Sequence, residues 1–188
     1  MIEENKEEGA KRTSDKVEKK HGLSIRDLIL AGILLAVGAV LKFFVGSIIN
    51  IGGMKPNFII AMYCMAIVLI RPRLYEAAII GVIAGAICQF FPGTPYLNFA
   101  SELAGAVAMG ILIKIPLPKI GGKVDLLPAL ATFLSTVVSG GLYTILLLFA
   151  LGAAKETLAA YVPIVACTAL INAVLVQVLY IPLKATLK

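Results

Sequence analysis

From Leu28 onward the chain alternates long apolar runs with short polar breaks. The runs are Leu28–Phe44, Phe58–Ile70, Leu74–Phe91, Leu97–Ile115, Leu126–Leu151 and Leu158–Leu183. A helix needs about 20 apolar residues to cross the hydrocarbon layer of a bilayer. The second run is short, and is read as a span lengthened at its start by Met54 and its interfacial neighbours. The breaks read Gly-Gly-Met-Lys-Pro, Arg-Pro-Arg, Pro-Gly-Thr-Pro, Pro-Leu-Pro-Lys-Ile-Gly-Gly and Gly-Ala-Ala-Lys-Glu, which is the chemistry of turns. The pattern predicts an all-α integral membrane protein with six transmembrane helices. Residues 1–23 form a separate polar segment, and residues 24–188 make one membrane domain.

Composition supports this division. Hydrophobic residues make up 60% of the chain and charged ones 15%, against roughly half and a quarter in a soluble domain. Six acids (Glu3, Glu4, Glu7, Glu8, Asp15, Glu18) precede Leu23. That segment is polar, mixed in sign and without aromatics, so it cannot bury enough apolar surface to order itself. It is too acidic and too long for the n-region of a signal peptide. The net charge of +6 would suggest nucleic acid in a soluble protein. Here no basic residues interleave with aromatics, and the lysines and arginines are read as topology signals. His21 stands without metal-ligand partners. Cys64, Cys88 and Cys167 lack Cys-x-x-Cys spacing and are read as small packing residues.

The basic residues set the orientation. The N-terminal segment with Arg26, then Arg71 and Arg73, Lys114, Lys119 and Lys123, and Lys184 and Lys188 fall on one side of a six-span chain. Lys42, Lys55 and Lys155 fall on the other, a bias of fourteen to three. The positive-inside rule then places both termini in the cytoplasm. The turn "NIGGMKPNF" lies outside, where a lysine is disfavoured, so Lys55 needs a local reason to be there.

Polar residues inside the runs are few, and ionisable groups at membrane depth are costly unless they face a partner or a cavity. Lys42, Gln89, Asn98, Glu102 and Tyr143 gather toward the outer side. Lys42 either snorkels to the interface or pairs with Glu102, whose short stem cannot snorkel. Asn172 and Gln177 lie deeper in the sixth span and are read as interhelical hydrogen-bonding residues. Glu76, beside Arg73, is read as an interfacial charge. Phe43, Phe44, Phe90, Phe91, Tyr96 and Phe99 ring the outer boundary, either as an aromatic belt or as a pocket wall. In the first span Gly32, Ala36 and Ala39 make a stripe of small residues that admits close approach of another helix. Gly81, Gly85 and Cys88 do the same in the third.

The segments "LAVGAVLKFF", "GGMKPNFIIAMYCMAIVLIRPR" and "GVIAGAICQFFPGTPYLN" resemble the bacterial tryptophan-transport protein family. The likeness covers about Ser24 to Gly110. Together with the span count and the small stripe, it also makes the chain resemble the substrate-binding S components of energy-coupling factor transporters. Two positions depart from the family pattern. Asn57 stands where an acid follows the Lys-Pro, and Ser101 and Glu102 stand where an Asp-Lys pair is expected.

The resemblance implies a multi-pass protein of the bacterial cell membrane that captures a small molecule from outside, tryptophan or a related aromatic or heterocyclic compound. It implies a membrane coupling protein and two cytoplasmic ATPases as partners. ATP would be used there, since this chain has no Walker A motif, and no cofactor is expected in the chain itself. The implied substrate residues are Lys42, Gly53, Lys55, Asn57, Gln89, Asn98, Glu102 and Tyr143, with Gly32, Ala36 and Ala39 docking the coupling protein. Gly52 and Gly53 would let the external turn fold over the ligand, Lys55 would meet a carboxylate, and Glu102 an ammonium. An S component for a vitamin-like substrate and a stand-alone secondary transporter or facilitator remain the alternatives. An intramembrane enzyme is disfavoured, because Glu102 is the one acid well inside a span.

Overall fold

The computed structural model describes residues 22–49, 56–91, 96–116, 125–154 and 156–186. The N-terminal polar segment up to His21 and the turn carrying Gly52, Gly53 and Lys55 lie outside the described residues. Among the described residues there are six α-helices and no strand: α1 Ile25–Ile48, α2 Phe58–Ile70, α3 Leu74–Cys88, α4 Leu97–Leu112, α5 Leu127–Leu151 and α6 Glu156–Thr186.

Local signals account for the helix starts. Ser24 accepts from the backbone N–H of Asp27 at 3.2 Å, and the Asp27 carboxylate accepts from Ser24 N at 3.1 Å. This reciprocal box satisfies two of the donors that a helix N-terminus leaves open. At α3 the Glu76 carboxylate accepts from Arg73 N at 2.7 Å and from the Tyr75 hydroxyl at 3.2 Å. Glu76 is only 5% exposed. The side chain folds back onto its own helix start, where the helix dipole favours an anion.

The second helix has the bounds that the sequence predicts, Phe58–Ile70. It has 13 residues, about 20 Å at 1.5 Å per residue, which is short of the roughly 30 Å hydrocarbon layer. Every residue from Phe58 to Val68 is buried. A helix that is apolar all round belongs in a core, and α2 packs against each of the other five. Met54, which the sequence reading adds to its start, lies outside the described residues. The helix begins after Asn57, whose side chain reaches into the bundle. The other helices surround it and turn large apolar residues outward, among them Ile33, Val40, Ile79, Ile145 and Val174.

By length and composition three helices can cross a membrane, over Ile25–Val45, Leu127–Ala150 and Ala159–Thr186, while α2, α3 and α4 are shorter apolar helices. The third run ends early, at Cys88, because the next three residues close tighter turns: Gln89 N, Phe90 N and Phe91 N each bond a carbonyl three residues back. Two glycines set the spacing of the inner helices. A Cβ on Gly85 would lie 2.8 Å from Phe99 Cα, so α3 and α4 are in backbone contact there. Gly105 of α4 faces the Tyr63 hydroxyl of α2, and a side chain there would collide with it. These approaches bring Cys88, Glu102 and Asn57 together.

Candidate functional site

Glu102 lies one and a half turns into α4 and is 1% exposed. A carboxylate at such depth is expensive unless polar groups replace its water. Three neutral donors do so. Asn57 Nδ2 donates to Oε1 at 2.5 Å, Ser139 Oγ to Oε2 at 3.1 Å, and Cys88 Sγ approaches Oε1 at 3.7 Å. Asn57 is the residue before α2, and its side chain makes no cap bond to that helix. It is turned to the acid instead.

Lys42 approaches from α1. Its Nζ lies 3.4 Å from Cys88 Sγ and 5.0 Å from the centre of the Phe91 ring. Among the described residues no ion pair joins Lys42 to Glu102, because the Cys88 thiol stands between them. The site therefore holds a cation and an anion side by side but not in contact. A thiol and a ring face are weak partners for an ammonium, and neutral donors are weaker partners for a carboxylate than a cation is.

A second layer lies deeper. Asn172 of α6 is fully buried, and its Nδ2 donates to the Asn57 backbone carbonyl at 3.2 Å and to Thr136 Oγ1 at 3.4 Å. Cys64 Sγ reaches Ser135 Oγ at 3.3 Å, and Ser135 Oγ donates to the Gly105 carbonyl at 2.8 Å. Four buried polar atoms have no hydrogen-bond partner among the described residues: Asn57 Oδ1, Tyr63 OH, Thr132 Oγ1 and Asn172 Oδ1. Buried groups are nearly always satisfied, so the open acceptors Asn57 Oδ1 and Asn172 Oδ1, in the hydrogen-bonded network that reaches Glu102, invite a further partner.

The structure thus brings together Lys42, Asn57 and Glu102 of the expected set. Gly53 and Lys55 lie outside the described residues. Gln89 serves the turn after α3, donating to the Gly85 carbonyl at 3.0 Å and accepting from Tyr96 N at 3.1 Å. Asn98 receives Ser101 Oγ on its backbone carbonyl at 3.4 Å. Tyr143 stacks on Tyr161, with ring centres 6.2 Å apart. Of the outer aromatics, Phe43, Phe44, Phe90 and Tyr96 are all at least 60% exposed and form an outward belt, while Phe91 lies beneath Lys42. Gly32 and Ala36 are exposed and Ala39 is half-buried.

Cys88 and Ser139 are the site residues that the sequence reading passed over. The second had a signal. Thr132, Ser135, Thr136 and Ser139 recur at helical spacing on one face of α5, and all four are buried. A polar stripe within an apolar helix faces inward. Cys88 had none, since a thiol in an apolar run looks like packing. The three cysteines are free, with Cys64 and Cys88 buried and Cys167 exposed.

A family model described as tryptophan transporter TrpP matches residues 24–188. A protein of Clostridium acetobutylicum described as a probable tryptophan transport protein is 24% identical over 169 residues, covering 88% of this chain and 96% of that protein. No solved structure matches.

Proposed function

This chain belongs to the tryptophan transporter TrpP family, and on that premise we propose that it binds tryptophan, or a closely related aromatic or heterocyclic compound, at the Glu102 site and takes it into the cell. It is a multi-pass protein of the bacterial cell membrane. The observation that carries the binding reading is the unpaired juxtaposition of Lys42 and Glu102 around Cys88. A zwitterion fits it: the ligand ammonium meets Glu102, the ligand carboxylate meets Lys42, and each charge gains the opposite partner it lacks. Lys55 and Gly53, on the turn leading into Asn57, supply a closing segment and a second cation. In this reading Gln89, Asn98 and Tyr143 also contribute to ligand contact, with the stacked pair Tyr143 and Tyr161 offering a surface for an aromatic ring.

We further propose that the chain is the S component of an energy-coupling factor importer. In this reading six spans place both termini in the cytoplasm, and a membrane coupling protein docks on Gly32, Ala36 and Ala39. Two cytoplasmic ATPases drive uptake, and the chain itself carries no cofactor. The outward stripe supports this, since a Cβ added at Gly32 would meet nothing within 4 Å and close helix approach in lipid needs such small residues.

Two measurements test the proposal. Purified chain should bind tryptophan at equilibrium in detergent, and affinity capture from a bacterial membrane should recover a coupling protein with two ATPases. Absence of tryptophan binding refutes the substrate. Tryptophan uptake by liposomes holding this chain alone moves it to the stand-alone transporters.

A further inference from the structure

Asn57, bonded to Glu102, and Asn172, bonded in turn to Asn57, have their amide orientations fixed by their neighbours. Asn57 turns its Nδ2 to a carboxylate oxygen, and Asn172 turns its Nδ2 to a backbone carbonyl and a hydroxyl. Carboxylates and carbonyls accept only, so the NH₂ end must face them. The end left over in both residues is the carbonyl oxygen, and neither Asn57 Oδ1 nor Asn172 Oδ1, both buried, has a partner among the described residues. The Asn172 side chain is fully buried. Tyr63 OH and Thr132 Oγ1 are also unpartnered, but a hydroxyl both donates and accepts and so dictates no partner. The asparagine oxygens can only accept.

The chain Glu102–Asn57–Asn172 therefore presents a carboxylate and two orphan carbonyl oxygens, all acceptors, linked through consecutive hydrogen bonds. Its complement is a group with several N–H donors and no acceptor. A primary ammonium has three donors and a positive charge. A carboxylate or a ring nitrogen lone pair would meet acceptors only.

We propose that Asn57 and Asn172 complete, with Glu102, an acceptor cradle that selects a primary ammonium on the ligand, which makes Asn172 a specificity-determining residue. The proposal rests on the tryptophan-binding reading and refines it, because that reading needs only charge at Glu102, whereas the cradle counts N–H groups. N-methylation of the ligand separates the two, since it removes donors one at a time and leaves the charge in place.

The experiment is equilibrium binding to the purified full-length chain of tryptophan and its α-N-methyl, α-N,N-dimethyl and α-N,N,N-trimethyl derivatives. In the wild type each lost N–H should weaken binding by about tenfold, the order expected for a hydrogen bond involving a charged group. In Asn172→Ala the first methyl should cost about twofold or less, because one acceptor is gone. A flat methylation series in a wild type that binds tryptophan overturns the cradle and leaves the transport reading standing. So does a folded Asn172→Ala that keeps wild-type selectivity, which would mean that the orphan oxygens serve bound water. If Asn172→Ala does not fold, Asn57→Ala carries the same comparison, and the wild-type series decides without either. A wild type that binds no tryptophan refutes the tryptophan-binding reading and the cradle with it.

Discussion

Glu102 is the residue on which stability and binding pull in opposite directions. Its carboxylate is buried among Asn57, Ser139 and Cys88, with no cation in contact among the described residues, and a buried charge without its counter-charge is destabilising. Glu102→Gln keeps the shape and can still accept from one of the two side-chain donors while losing the charge. The variant should melt at the same temperature as the wild type or higher. Its affinity for tryptophan should fall by roughly ten- to a hundredfold, the worth of a charge-assisted hydrogen bond of about 1.5–3 kcal/mol. Thermal unfolding with and without ligand, beside a binding isotherm, reads both effects. A lower melting temperature with unchanged affinity would make Glu102 a structural acid. The counterpart at the cation is Lys42→Met, which keeps the stem over Phe91. It should weaken tryptophan binding strongly and tryptophanamide binding little, and equal losses for both ligands would remove the lysine from carboxylate recognition.

At the scale of elements, α1 carries two faces of small residues with different duties. Gly38 points inward, where a Cβ would lie 3.0 Å from both Ile59 Cα and Met62 Cγ of α2. Gly38→Leu overfills that contact and should cost about 1–3 kcal/mol of stability, seen in the melting temperature of the isolated protein. Ala36 points outward. Ala36→Trp should leave melting and tryptophan affinity unchanged while abolishing co-purification with the coupling protein, and a loss of binding instead would show that the stripe packs internally. Helix α6 shows a similar division. Gln177 accepts from Ala129 N at 3.2 Å and donates to the Asp125 carbonyl at 3.0 Å, tying down the start of α5. Gln177→Ala should therefore lower stability by about 1 kcal/mol without changing ligand affinity. Asn172, read from sequence as its partner in packing, belongs to the Glu102 network.

Across the whole molecule, the apolar surfaces outside the bundle and the fully buried α2 define which side of each helix meets lipid. The proposed orientation is testable without reference to the substrate. In a chain with Cys64→Ala, Cys88→Ser and Cys167→Ala, a membrane-impermeant maleimide should label Lys55→Cys in intact cells. It should label Lys119→Cys only after the inner face is opened. The reverse pattern would invert the molecule and place the Glu102 site toward the cytoplasm.

The sequence by itself determined the helices, because apolar runs and Gly/Pro turn chemistry act locally. It also marked Lys42 and Glu102, because a polar group in an apolar run needs a reason to be there, and the family pattern legible in the Gly-Gly-Met-Lys-Pro turn drew attention to Asn57. It did not show that α2 is the core helix, since a lipid-facing surface is as apolar as a buried one and hydropathy cannot separate them. Nor did it show that Cys88 parts two charges, or that Asn172 reaches Asn57 across 115 positions of chain. Those relations depend on which faces the helices turn toward one another. Close packing at Gly38, Gly85 and Gly105 sets that, and no local pattern records it.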